Sequence, residues 1–137
     1  MQTGYQVEEG VECLLDFKKI QRIQKTGLDV LPVAVQDISN KEVLMVAYVN
    51  EESLKQTIES GYATFWSTSK NKLHIKGETS GDRLKIIDVR VNCEQNSLLF
   101  LVEKVGAGAC HTKCPGEEKY RSSCFYRALE GSNLTHI

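Results

Sequence analysis

Five cysteines and three histidines are the residues most able to do chemistry in this chain, and they are unevenly placed. The stretch 106–127, GAGACHTKCPGEEKYRSSCFYR, holds Cys110, Cys114 and Cys124, with His111 directly after the first. Thiolate and imidazole are ligands that zinc prefers; structural sites take four, and catalytic sites keep one position open for water. Cys110 and Cys114 make one loose pair and Cys124 follows a polar loop, which is not the spacing of a zinc finger. A further sulfur stands upstream at Cys93, in VRVNCEQN. A metal site assembled from scattered segments is expected. The alternative is that some of these are buried apolar cysteines, since thiols are among the most buried side chains.

The elements that must position these groups belong to a chain of 137 residues, read as one domain over 1–137 and long enough to bury a core. A hydrophobic content of 41% and a charged content of 26% are those of an ordinary soluble protein. A formal charge of -1 gives no case for bulk binding of nucleic acid. No apolar run approaches the roughly 20 residues that cross a bilayer. The opening MQTGYQVEEGVE is acidic and lacks the basic-then-apolar pattern of a signal peptide, so a reducing cytoplasm is expected. There, close cysteines are more often ligands or catalytic groups than disulfides, and an odd count agrees.

From Glu9 to Thr26 apolar residues recur at helical intervals, with Gly27 suited to a C-terminal cap. Cys13 falls in this helix as a buried thiol. Residues 31–38 (LPVAVQDI) and 42–49 (EVLMVAYV) read as a hairpin. The second strand is apolar on both faces and is expected in the middle of a sheet. Asn50 caps a helix over 51–60 that Gly61 ends. Residues 62–67 and 72–76 read as strands joined by a polar turn, and 77–81 (GETSG) as a loop that lets backbone approach a ligand. Residues 83–93 and 97–105 form a further hairpin, which puts Cys93 at a strand end. Glu103 and Lys104 are expected to face solvent, and the tail from Gly131 to fray. The fold class is α+β, a largely antiparallel sheet with flanking helices.

Residues 31–73, then KGETSG, then ACHT and RSSCFYR, together and in order, resemble phosphoribosyl-AMP cyclohydrolase of histidine biosynthesis. The resemblance spans about Leu31 to Arg127. It implies an enzyme that opens the adenine ring of 1-(5-phosphoribosyl)-AMP between N1 and C6. It also implies a homodimer dependent on zinc and magnesium, its zinc held by three cysteines across the subunit interface. By motif these are Cys93, Cys110 and Cys124, and His111 falls on the catalytic histidine. The family's magnesium motif, Asp-Cys-Asp-x-Asp, is here Asn92, Cys93, Glu94, Gln95 and Asn96, a degenerate version with one acid. The loop before Cys124 is longer than usual and carries the extra Cys114. That cysteine reads as a fourth ligand, a redox partner or an incidental residue; a fourth thiolate would close the open position, which favours an incidental or regulatory role.

Ribose at N1 leaves C6 electron-poor, and zinc would supply hydroxide near neutral pH by acidifying bound water. Three thiolates weaken that acidity, so a base is useful, and His111 is the only histidine beside a ligand. Its other readings are metal ligand or second-shell partner, and packing residue. His74 and His136 read as strand and tail residues. The substrate carries two phosphates, for which Lys70, Lys72, Lys76, Arg121, Arg127 and the Thr79–Ser80 hydroxyls and amides are candidates. For each cation a solvated surface charge is the competing reading. Trp66 can stack on the adenine, though an indole in a strand is more often core. Two rival functions are a paralogue acting on another purine-like nucleotide, and a non-enzymatic, zinc-stabilised dimeric binding module.

Overall fold

A computed structural model describes residues 4–106, 109–110, 112 and 121–137. Along the chain lie α1 (Gly4–Glu8), α2 (Lys19–Lys25), β1 (Leu31–Asp37), β2 (Val43–Val49), α3 (Glu51–Ser60), β3 (Thr64–Ser67) and β4 (Lys72–Ile75). Then follow β5 (Arg83–Val91), β6 (Leu98–Val105), β7 (Arg127–Glu130) and β8 (Asn133–His136). Contacts group the chain into two compact units, one over residues 28–124 and one made by its two ends, up to Gly27 and from Phe125.

In the larger unit, alternating burial along the strands builds a four-stranded sheet in the order β2-β1-β6-β5. Both hairpins, β1–β2 and β5–β6, are antiparallel as expected, but they join through a parallel β1–β6 pair, so the sheet is mixed. Val33, Val35, Leu44, Leu84, Phe100 and Val102 fill the core, and Phe65 of β3 lays its ring 6.0 Å from that of Phe100. Helix α3 forms where its caps dictate. The Asn50 side chain accepts from Ser53 N at 2.8 Å, the Ser53 hydroxyl accepts from Asn50 N at 2.9 Å, and Gly61 ends the helix at φ 78. Buried Thr57 then ties α3 to β3, its hydroxyl accepting from Thr64 N at 2.9 Å.

Strand β2 is not central but lies at the sheet edge. Its apolar character on both faces was a poor guide because its outer edge is covered by another part of the chain. The Leu44 carbonyl accepts from Cys124 N at 2.8 Å and the Val43 carbonyl from the Ser123 hydroxyl at 2.6 Å. Lys104 also departs from its expected solvent-facing role, while Glu103 is exposed. Lys104 lies 3.7 Å from the buried Asp37 carboxylate and donates to Ser122 at 2.7 Å. Burial alone would raise the Asp37 carboxyl, but the Ser39 hydroxyl and amide together with Lys104 hold it below the ordinary carboxylate range.

In the terminal unit the expected helix over 9–26 is reduced to Lys19–Lys25, closed by Gly27 at φ 74. Residues 11–13 instead give their backbone groups to the C-terminal end: Leu134 N donates to Val11 O at 2.6 Å and Cys13 N to Ser132 O at 3.2 Å. Cys13 is therefore a half-buried thiol outside any helix. The same pairing, with β7 against β8, orders the tail that composition predicts to fray. Of the stripe's apolar residues Ile23 is buried, whereas Val11, Leu15, Phe17 and Ile20 are 60% to 90% exposed. Among the described residues, no helix is long and apolar enough to cross a membrane.

Candidate active site

The β3–β4 hairpin and the loop after it wall a cleft of about 430 Å³. Lys70, Lys72 and Lys76 line it together with Thr79 and Ser80. Three residues absent from the motif reading join them: His74, Glu78 and Asp82. The loop keeps its shape because Gly77 sits at φ 79, where a Cβ would overlap the Asp82–Arg83 backbone, and Gly81 N donates to Gly77 O at 2.8 Å. Cys110 also lines the cleft, which brings a thiol to the wall of the basic pocket.

The cysteine segments are held by backbone pairing. Ala109 N donates to Ser122 O at 3.0 Å, Cys110 N to Arg121 O at 3.1 Å, and Arg121 N to Thr112 O at 2.9 Å. Ser122 anchors the second segment, donating to Glu42 at 2.6 Å while accepting from Lys104. With Cys124 N fixed on the β2 edge, the Cys110 and Cys124 side chains hydrogen-bond each other. That bond, followed by burial and the charge of Cys110, pushes the Cys124 thiol far above the ordinary range, against a smaller opposing pull from Lys76. Two adjacent sulfurs cannot both ionise without a cation, and a divalent metal reverses that balance. The pair therefore fits two ligands of a soft metal such as zinc.

Cys110 has its own support. Thr112 places its amide at 3.5 Å and its hydroxyl at 3.0 Å from the sulfur. The buried Arg121 guanidinium donates to that hydroxyl at 2.9 Å, leaving its proton free to point at the sulfur. Arg121 thus serves the cysteine rather than the cleft wall. Cys93 is exposed in the turn between β5 and β6. Among the described residues no three metal-ligating groups come together, so one chain brings Cys110 and Cys124 into a pair without Cys93.

Around Cys93 the turn is an amide network. Asn92 Oδ1 accepts from Asn96 N and Ser97 N, both at 2.9 Å, and Asn92 Nδ2 donates to Asn96 Oδ1 at 2.7 Å. Asn96 Nδ2 in turn donates to Glu94 at 3.1 Å. These groups satisfy one another's hydrogen bonds, with Glu94 the one acid among Asn92, Glu94 and Asn96.

Trp66 is half-buried on β3 outside the cleft lining, its Nε1 buried without a hydrogen-bond partner among the described residues. Arg127 belongs to the terminal unit, where it donates to Gly10 O at 3.0 Å and Val7 O at 2.7 Å. His136 stacks on Tyr126 with ring centroids 6.0 Å apart. His111 and Cys114 lie outside the described residues. The supporting set of Thr112, Ser122, Glu42 and Lys104 left no local signal beyond the polarity of each residue.

The family model of phosphoribosyl-AMP cyclohydrolase matches residues 45–126. A phosphoribosyl-AMP cyclohydrolase of Archaeoglobus fulgidus is 47% identical over 104 residues, covering 76% of this chain and 89% of the relative. One from Methanosarcina mazei is 54% identical over 97 residues, covering 71% and 74%. A histidine biosynthesis bifunctional protein of Aquifex aeolicus is 44% identical over 104 residues, covering 76% of this chain and 47% of its own length.

Proposed function

Because the chain belongs to the phosphoribosyl-AMP cyclohydrolase family, we propose that it hydrolyses the N1–C6 bond of the adenine ring of 1-(5-phosphoribosyl)-AMP in histidine biosynthesis. The observation that carries this reading is that Cys110, paired with Cys124, forms part of the wall of a lysine-lined cleft. Cys110 and Cys124 would hold zinc with Cys93 of a second copy, since one chain does not bring the third sulfur to the pair. When bound, zinc acidifies water and so provides a nucleophile near neutral pH.

The chain's own residues do the rest. Lys70, Lys72 and Lys76 draw the phosphates into the cleft, and the Thr79 and Ser80 hydroxyls fix their oxygens. The oxygen of water adds at C6, the C6–N1 bond breaks with its electron pair on N1, the oxygen gives up its remaining proton to solvent as C6 becomes a carboxamide carbonyl, and N1 takes up a proton. His111, beside Cys110 in sequence, removes the proton from water and returns it to N1. Arg121 fixes Thr112, whose hydroxyl and amide position the Cys110 sulfur. The reaction belongs in the cytoplasm, where thiolates stay reduced. The test is an ultraviolet assay of ring opening with phosphoribosyl-AMP, with zinc measured on the same sample. Zinc-loaded protein without ring opening would refute the reading.

The amide turn makes a separate prediction. Magnesium prefers anionic oxygens, and Glu94 is the only acid in the patch. Magnesium dependence should appear mainly with substrate present. Asn92→Asp with Asn96→Asp should tighten magnesium while destabilising the metal-free turn, because the 2.7 Å amide contact becomes a clash of carboxylates. Calorimetric titration of the zinc-loaded, substrate-free protein checks this, and tight magnesium binding by the unaltered protein would contradict it.

A further inference from the structure

His74 lines the basic cleft on β4, between Lys72 and Lys76 on the same strand and its end, with Lys70 in the preceding turn and Glu78 in the following loop. Its neighbour across the hairpin is the uncharged, buried Phe65. The fixed charge of the cleft is small, for its three lysines face two carboxylates, Glu78 and Asp82. A ligand with two monoester phosphates brings about -1.5 to -2 per phosphate near neutral pH. The cleft is therefore short of positive charge, and His74 is the only imidazole among its described lining residues able to add one by taking up a proton.

We propose that His74 is a proton-coupled phosphate anchor: neutral in the free enzyme, it is protonated as a phosphate enters the cleft and then donates to it. The proposal rests on the cyclohydrolase reading only for the number of phosphates. His74 keeps an exposed side chain on β4, yet loss of water on its protein side lowers it below the ordinary imidazole range, and Lys76, Lys70 and Lys72 act in the same direction against Glu78. A phosphate dianion among those lysines removes the repulsion and replaces it with attraction. The bound state then holds a proton that the free state lacks. By linkage, affinity rises as pH falls from above the bound-state value to below the free-state value.

The test uses AMP, a stable nucleoside monophosphate, on the zinc-loaded protein. On saturation with AMP, the His74 Cε1–H resonance should titrate about one unit higher, which corresponds to about tenfold in affinity. His74→Gln should bind AMP more weakly than the unaltered protein at pH 6, by a factor that approaches about tenfold as pH falls below the free-state value, and equally above pH 8. The phosphate's own second ionisation affects both proteins alike and cancels in that ratio. Calorimetry in buffers of different ionisation enthalpy should show proton uptake that the variant lacks. An unmoved His74 titration, the same pH profile in both proteins, or no saturable AMP binding at pH 6 would each overturn the proposal. If ring opening fails while these signatures hold, the cyclohydrolase reading falls and the anchor stands; the reverse pattern removes the anchor alone.

Discussion

Replacing His111 with alanine lowers turnover by about 10²- to 10⁴-fold, the range for a residue that moves a proton in the transition state. Zinc content should stay close to that of the unaltered protein, because the substitution leaves the three proposed sulfur ligands in place. If the imidazole acts as base, turnover in the unaltered enzyme should fall on the acid side as it is protonated, and the variant should lose that limb. Steady-state kinetics across pH, with metal analysis on each sample, checks this. Loss of zinc together with activity would make His111 a ligand, and unchanged turnover would make it a packing residue.

Serine in place of Cys93, Cys110 or Cys124 should strip zinc and take ring opening to background, since water without the metal is far too weak an acid to supply hydroxide near neutral pH. The three substitutions differ in their effect on the fold. Cys110 is buried at 4% exposure against Thr112, so its loss should also loosen the pairing of Ala109, Cys110 and Thr112 with Arg121 and Ser122. Cys93 is exposed in a turn held by Asn92 and Asn96, so Cys93→Ser leaves the fold intact while emptying the metal site. On the proposed shared site chelation should also weaken the dimer, because a metal bound by both copies would stabilise their association. Metal analysis and light scattering measure both effects. Full zinc occupancy in any one of the three variants would remove that cysteine from the ligand set.

Local chemistry was readable in the sequence and distant pairing was not. Asn50, Ser53 and Gly61 define α3 within twelve residues, so the helix ends follow from side chains beside them. The two hairpins follow from alternation and short turns. The position of β2 does not, because the cover on its edge comes from Ser123 and Cys124, some 80 residues later. Likewise the period over 9–26 reads as helix, and only the far end of the chain shows that residues 11–13 pair with 132–134. Lys104 shows the same limit in the site. Asp37 and Ser122 converge on it from distant segments, and without them it reads as an ordinary strand-end charge. The cleft itself was legible through its lysines and the Gly77–Gly81 loop. His74 was read correctly as a strand residue, but the side of the cleft it occupies depends on how β4 packs.

The direct test of a zinc site shared between copies is complementation of Cys93→Ser with Cys124→Ser. Each variant alone lacks an intact site. In a mixed dimer the first supplies Cys110 and Cys124 and the second supplies Cys93, so one of two sites is whole. Statistical mixing of the purified variants should then restore about a quarter of the unaltered zinc content and ring-opening activity, as expected for a two-fold dimer in which half the dimers are mixed. No recovery of zinc or activity from a demonstrated mixed dimer would contradict the shared site.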